Sequence, residues 1–73
     1  PKDYNSYNNK GNSLHSLGEY KEAIKYFDEA ILLDPNDYKS YNNKGNSLNS
    51  LGEYKEAIKY FDKAILLDPN DYK

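Results

Sequence analysis

Cysteine, tryptophan and methionine are absent from this chain of 73 residues, and histidine occurs once, at His15. Without cysteine the chain can form no disulfide, thiol nucleophile or thiolate metal site. A single histidine also excludes a histidine metal cluster within one chain. Apolar residues never run beyond a few in succession, so we expect no membrane span and no secretory signal. Together these absences favour a reducing, cytoplasmic setting.

Neither sign of charge predominates in the chain. Ten basic and twelve acidic residues give a net charge of −2, and the two signs are interspersed. No basic stripe exists that could neutralise a row of phosphates, so we expect no nucleic-acid partner. The four glycines do not assemble into a phosphate-binding loop. We therefore predict that the chain holds no cofactor.

An internal repeat is the main feature that is present. Residues 4–37 match residues 38–71 at every position except three, which are Asn5/Lys39, His15/Asn49 and Glu29/Lys63. Residues 1–3 resemble the end of an earlier copy, and residues 72–73 resemble the start of a third. The sequence predicts one domain over 1–73 with two repeats, and it reads as an excerpt of a longer array.

Helical periodicity is clear within each copy. One stripe of a first helix consists of Tyr4, Tyr7, Gly11 and Leu14. Gly18 interrupts it, because glycine readily closes a helix in the left-handed conformation. A second helix carries a longer apolar face, and Pro35 ends it, so that Asn36 or Asp37 can cap the next helix.

Two short helices cannot bury their apolar faces alone, so each copy needs a neighbour to cover it. Gly11 and Ala23, with Gly45 and Ala57 in the second copy, let the paired helices approach closely. We predict an all-α fold, an α-solenoid of two antiparallel helix-turn-helix repeats with four helices.

The repeat resembles the tetratricopeptide family in its period and its helix pair. Matching residues in the first copy are Tyr7, Gly11, Leu14, Gly18, Tyr20, Ala23, Phe27, Ala30 and Pro35, and their equivalents recur in the second. The resemblance implies right-handed superhelical stacking and a role in binding proteins. Lys10 and Lys44 depart from it, since leucine is usual there. We expect their stems to lie on apolar surface with the ammonium groups in water.

In that family the first helices line a concave groove that binds peptides. The resemblance places an amide-rich groove face on Asn5, Asn8, Asn9, Asn12 and His15, and on Lys39, Asn42, Asn43, Asn46 and Asn49. An asparagine side chain offers both a donor and an acceptor, so a row of them could pair with a peptide backbone. Asn9 and Asn43 resemble the asparagine ladder of the O-linked N-acetylglucosamine transferase family. The competing interpretation is a face that is merely solvated.

A second resemblance is to the carboxylate clamp of chaperone-binding repeats, at Asn12, Asn43 and Lys73. Asn8 stands where that clamp has a lysine. A terminal carboxylate needs paired cations, so this function is disfavoured.

The terminal helices predict a rival function. Tyr4, Tyr7 and Leu14 at one end, and Phe61, Ile65 and Leu66 at the other, would be covered by further copies in an array. Because the copies are nearly identical, the two ends are complementary. The chain could therefore associate head to tail into a homo-oligomer, or exchange helices between protomers, as a structural scaffold.

An enzyme is the least favoured class. His15 and Ser16 are neighbours on a helix and point in different directions, so they do not form a base–nucleophile pair. The acidic segment that starts at Asp34 lacks the glycine and the terminal glutamate of a calcium loop. We expect neither catalysis nor a metal site.

Overall fold

The computed structural model describes residues 3–69, which fold into four α-helices. They are α1 (Tyr4–Ser16), α2 (Tyr20–Leu33), α3 (Tyr38–Ser50) and α4 (Tyr54–Leu67). Helices α1 and α2 pack as one hairpin, α3 and α4 pack as the next, and the two hairpins lie side by side. No strand occurs among residues 3–69. The predicted all-α fold of adjacent helical hairpins is confirmed.

Aspartates begin the first helix of each repeat. Asp3 Oδ1 accepts a hydrogen bond from Asn5 N at 2.9 Å, and Asp37 Oδ1 accepts one from Lys39 N at 3.3 Å. Each carboxylate satisfies a backbone donor that the helix itself leaves unpaired. Of the two residues that the sequence offered as a cap for α3, Asp37 is the one used. The N-cap residues of the second helices are Glu19 and Glu53, which make no side-chain capping bond.

The turn inside each hairpin depends on a glycine. Gly18 has φ of 83° and Gly52 has φ of 84°, a left-handed conformation that costs other residues free energy. Gly18 N donates to His15 O at 2.9 Å, and Glu19 N donates to Leu14 O at 2.8 Å. These bonds close α1 and direct the chain back along it as α2.

The core of the first hairpin forms where α1 and α2 come closest. Ala23, Phe27 and Ala30 are fully buried on α2, and the Phe27 ring lies directly over Gly11 of α1. Gly45 and Phe61 repeat that contact in the second hairpin. The glycine therefore permits the close approach that the sequence predicted.

The first helices of the two repeats lie closer together than the second helices do. Helix α3 contacts both α1 and α2, whereas Cα atoms of α2 and α4 stay more than 8 Å apart. The two first helices therefore lie on the inner side of the curve and the two second helices on the outer side. This arrangement makes the joint surface of α1 and α3 the candidate groove.

Candidate interaction surfaces

Three surfaces are defined by comparing equivalent residues of the two repeats. The junction is the contact between the hairpins, the groove face is the open side of α1 and α3, and the end faces lie at the two ends of the stack. Since the repeats are nearly identical, a difference in burial between equivalent residues reports what the neighbouring repeat covers.

Asn8 belongs to the junction, so the prediction that it lies on the open groove face is wrong. Its side chain is only 6% exposed, and its Nδ2 donates to Ser40 Oγ of α3 at 2.8 Å. Ser40 Oγ in turn donates to Asp37 Oδ2 at 3.2 Å. Asn43 Nδ2 lies 3.4 Å from Asn8 Oδ1 and completes the network. A buried amide that is satisfied in this way joins the repeats and is not available to a ligand.

His15 also faces the neighbouring repeat. Its Nδ1 lies 2.8 Å from Ser47 Oγ, and its ring meets the edge of Tyr20 with a centroid distance of 4.9 Å. Asn42 and Asn49 are the equivalents of Asn8 and His15 in the second repeat. Their helix positions therefore face the side where a following repeat would stack, and the groove face lies elsewhere.

Lys44 forms a junction contact that the sequence analysis missed. Its Nζ lies 2.6 Å from Asp28 Oδ1 of the first repeat and 3.0 Å from Tyr60 Oη of its own repeat. The side chain is 14% exposed. The expectation that its ammonium lies in water is therefore wrong. Lys10, its equivalent, is exposed, and its Nζ lies 4.5 Å from the centre of the Tyr26 ring.

The surroundings of Lys44 favour its charged form. Desolvation by burial lowers the pKa of the ammonium, but the hydrogen bonds to Asp28 and Tyr60 and the charge interactions with both groups together outweigh it and leave the pKa above the ordinary value of 10.5. Burial also raises the pKa of Tyr41 above 10.0, and the charges on Tyr60 and Asp34 add to that effect. Tyr41 Oη donates to Pro35 O at 2.9 Å, so the phenol is held neutral at the junction.

The groove face retains six of the predicted polar residues. Asn5, Asn9, Asn12, Lys39 and Asn46 are exposed, and Asn43 is half-buried beside Asn8. Their positions on the two inner helices place them on the side of each helix away from its hairpin partner. A shallow depression lined by Asn12, Ser13, Ser16 and Leu17 lies at one end of α1. The groove face is therefore an open polar surface.

The end face formed by α4 is apolar, and no further helix covers it among residues 3–69. Phe27 is fully buried under α3, whereas Phe61 is only half-buried. Ile58 is 56% exposed, while its equivalent Ile24 is half-buried. Tyr54 and Ile65 are likewise more exposed than their equivalents in the first repeat. We call Asn42, Tyr54, Ile58, Phe61, Asp62 and Ile65 the C-terminal face.

The opposite end face lies on α1. Tyr41 and Leu48 are buried at the junction, whereas their equivalents Tyr7 and Leu14 are half-buried. Ser40 and Ser47 are fully buried, and their equivalents are exposed. We call Ser6, Tyr7, Lys10, Ser13 and Leu14 the N-terminal face. Tyr4 is half-buried, as is Tyr38, so its burial does not depend on a neighbouring repeat.

Leu66 does not belong to the C-terminal face, which corrects the prediction that a further copy would cover it. Its exposed fraction is 77%, but that of its equivalent Leu32 is 75%, although a second repeat follows Leu32. Both leucines therefore lie on the outer surface of α2 and α4. A stacked repeat therefore leaves the side chain at this position exposed to solvent.

Among residues 3–69, no group of histidine and acidic side chains could hold a metal ion. No helix in the same range is long and apolar enough to cross a membrane. A second shallow depression is lined by residues 52–56, in the turn that begins α4.

Comparison with known proteins supports the repeat assignment. The tetratricopeptide repeat model matches residues 4–37 and 38–71. The solved structure "MamA MSR-1 C2" is similar over 94% of this chain, with 33% sequence identity and a TM-score of 0.89. This chain spans only 40% of that one. No curated protein sequence matches significantly.

Proposed function

The chain belongs to the tetratricopeptide repeat family, whose repeats mediate protein–protein interaction, and we propose that it binds an extended peptide segment along its groove face. The repeats of this family form a scaffold for protein interactions. The proposal includes a cytoplasmic setting, since a chain without cysteine needs no oxidising compartment.

One observation carries this proposal: exposed amides recur at equivalent positions on two helices that touch. Asn12 and Asn46 are both exposed, and Asn9 and Asn43 stand one turn earlier on α1 and α3. Each amide can donate to a peptide carbonyl and accept from a peptide N–H. The contacts would be made mainly to the backbone of the ligand, so affinity would depend little on the ligand's sequence.

Lys39 gives the groove face a charge preference. It is exposed and replaces Asn5 at the equivalent position of α3. The other groove residues are neutral amides, so the ammonium is the main charge on this surface. An acidic residue in the bound peptide would therefore be favoured over a basic one.

The test is to screen the chain against an array of short unstructured peptides and to repeat the binding with Asn12→Ala/Asn46→Ala, two exposed groove residues outside the junction network. We expect the double variant to lose binding by about tenfold or more, because two hydrogen-bonding groups are removed. Asn36→Ala, an exposed loop asparagine outside the groove, is the matched control. The proposal fails if the double variant binds as the wild type does, with helicity unchanged in circular dichroism.

Self-association is a second candidate function, and the exposure of Phe61 favours it. Where a repeat follows, the equivalent phenylalanine is fully buried. Copies could cover this apolar surface by end-to-end stacking or by exchanging helices. Sedimentation equilibrium over a wide concentration range tests this candidate. Equal molar mass in dilute and concentrated samples would exclude it.

A further inference from the structure

We propose that a second copy of this chain docks its N-terminal face on the C-terminal face, in the register of the internal junction, and that Lys10 of one copy pairs there with Asp62 of the other. The proposal rests on the second candidate function, self-association. It adds the partner surface, the register and the ion pair that fixes them.

The internal junction shows what covers a C-terminal face. There, Lys44 of the second repeat pairs with Asp28 of the first at 2.6 Å. The residue equivalent to Lys44 in the first repeat is Lys10, and the residue equivalent to Asp28 in the second repeat is Asp62. A copy docked in the same way would therefore place its Lys10 against Asp62. Both halves of the new pair are exposed, on opposite faces of the four-helix stack that residues 3–69 form. The faces are therefore complementary in charge.

The hydrogen-bonding residues of the internal junction also have equivalents on the two end faces. Asn8 donates to Ser40 at the internal junction, and the equivalent pair is Asn42 with Ser6 of the docked copy. Asn42 has the same side chain as Asn8, so the Ser6 hydroxyl of the docked copy would satisfy its amide when the contact buries it.

One contact of the internal junction would have a different side chain at the docked contact. His15 lies against Ser47, whereas the equivalent pair is Asn49 against Ser13. An amide can also donate to a hydroxyl, so the contact is retained with a shorter side chain. The sequence difference between the repeats is therefore compatible with docking.

Apolar burial would accompany these polar contacts. Phe61, Ile58 and Tyr54 are more exposed than the equivalents that α3 covers in the first repeat. Tyr7 and Leu14 of the docked copy correspond to Tyr41 and Leu48, which are buried at the internal junction. The contact joins two different surfaces, so it is heterologous and can extend beyond a dimer.

Charge reversal tests the register. Lys10→Glu sets a glutamate against Asp62, and Asp62→Lys sets two lysines together, so each variant alone should associate about tenfold more weakly than the wild type. An equimolar mixture of the two variants should associate again, because the introduced glutamate of one meets the introduced lysine of the other. The double variant Lys10→Glu/Asp62→Lys should also associate. Each variant keeps the internal Lys44–Asp28 pair.

Sedimentation equilibrium is the measurement, with Lys25→Glu and Glu56→Lys on the outer helices as controls of the same charge change. Recovery in the mixture and in the double variant, with both controls unaffected, supports the proposal. Wild-type association that neither single reversal weakens overturns the ion pair while leaving self-association intact. A wild type that stays monomeric at every concentration overturns both.

Discussion

Lys44 and Asp28 join the two repeats through an ion pair of 2.6 Å, in which the lysine side chain is almost enclosed and the aspartate side chain is half exposed. The lysine occupies a position that the family usually fills with an apolar residue. The same ammonium reaches Tyr60 Oη at 3.0 Å, so it links α2, α3 and α4. A charged group thus replaces part of the apolar packing between hairpins.

We expect Lys44→Met to lower the free energy of unfolding by about 1 kcal/mol, because the methionine keeps the stem but loses two charge-assisted hydrogen bonds. The half-exposed aspartate keeps this loss below that of a fully buried pair. Lys10→Met is the matched control, and we expect it to cost less, since Lys10 lies over Tyr26 and has no acidic partner within residues 3–69. Urea unfolding of dilute samples measures both. Equal losses would contradict a role for the ion pair.

The pH dependence of stability follows from the same junction. The pKa of Lys44 is raised above 10.5 and that of Tyr41 above 10.0 in the folded state. The folded state therefore binds the protons of these two side chains more tightly than the unfolded state does. Their contribution to the free energy of unfolding is fully present below about pH 10 and is lost as the pH rises through their folded-state pKa values. We expect unfolding midpoints to fall in the alkaline range. Lys44→Met should show a shallower alkaline fall, and an unchanged one would contradict this origin.

Asn8 and Asn42 provide a second matched pair. Asn8 is buried and donates to Ser40, whereas Asn42 occupies the equivalent position of α3 and has no following hairpin among residues 3–69. We expect Asn8→Ala to lower the free energy of unfolding by about 1–2 kcal/mol, since Ser40 loses a partner in a buried site. We expect Asn42→Ala to cost clearly less. Similar losses in chemical denaturation would show that the junction network does not stabilise the fold.

The repeat, the helices and their caps could be predicted because they depend on local sequence. Gly18 and Asp37 have a conformation or a hydrogen bond that their own residue type favours. Because each copy holds only two short helices, the repeat also predicted that the copies stack on each other.

The sides of α1 could not be assigned in the same way. Asn8 and Asn12 are both polar and one turn apart, so the pattern of one helix places them on the same face. The rotation of α3 against α1 decides that Asn8 is buried and Asn12 is open. The Lys44–Asp28 pair had one signal in the sequence, a lysine at an apolar position in a repeat that also carries an outward-facing aspartate. Only the packing of the hairpins connects the two residues.

Gly11 and Gly45 give a further prediction about how tightly each hairpin is packed. A Cβ at Gly11 would overlap the Phe27 ring, and one at Gly45 would come within 2.6 Å of Phe61 Cε1. Alanine favours the helix by up to about 1 kcal/mol over glycine, so the sign depends on whether the ring can move. Phe27 is fully buried in the repeat that α3 and α4 follow, whereas Phe61 is half-buried. We therefore expect Gly11→Ala to destabilise by about 1–3 kcal/mol, the usual cost of overpacking.

Gly45→Ala should cost less or be neutral, because Phe61 can shift toward the uncovered C-terminal face. Thermal and urea unfolding of the two variants, at a concentration where the chain is monomeric, measure the difference. If self-association is present, raising the concentration should make Gly45→Ala more costly, since a docked copy would hold Phe61 in place as α3 holds Phe27. A Gly45→Ala variant that is the more destabilised one in dilute solution would contradict the link between coverage and packing.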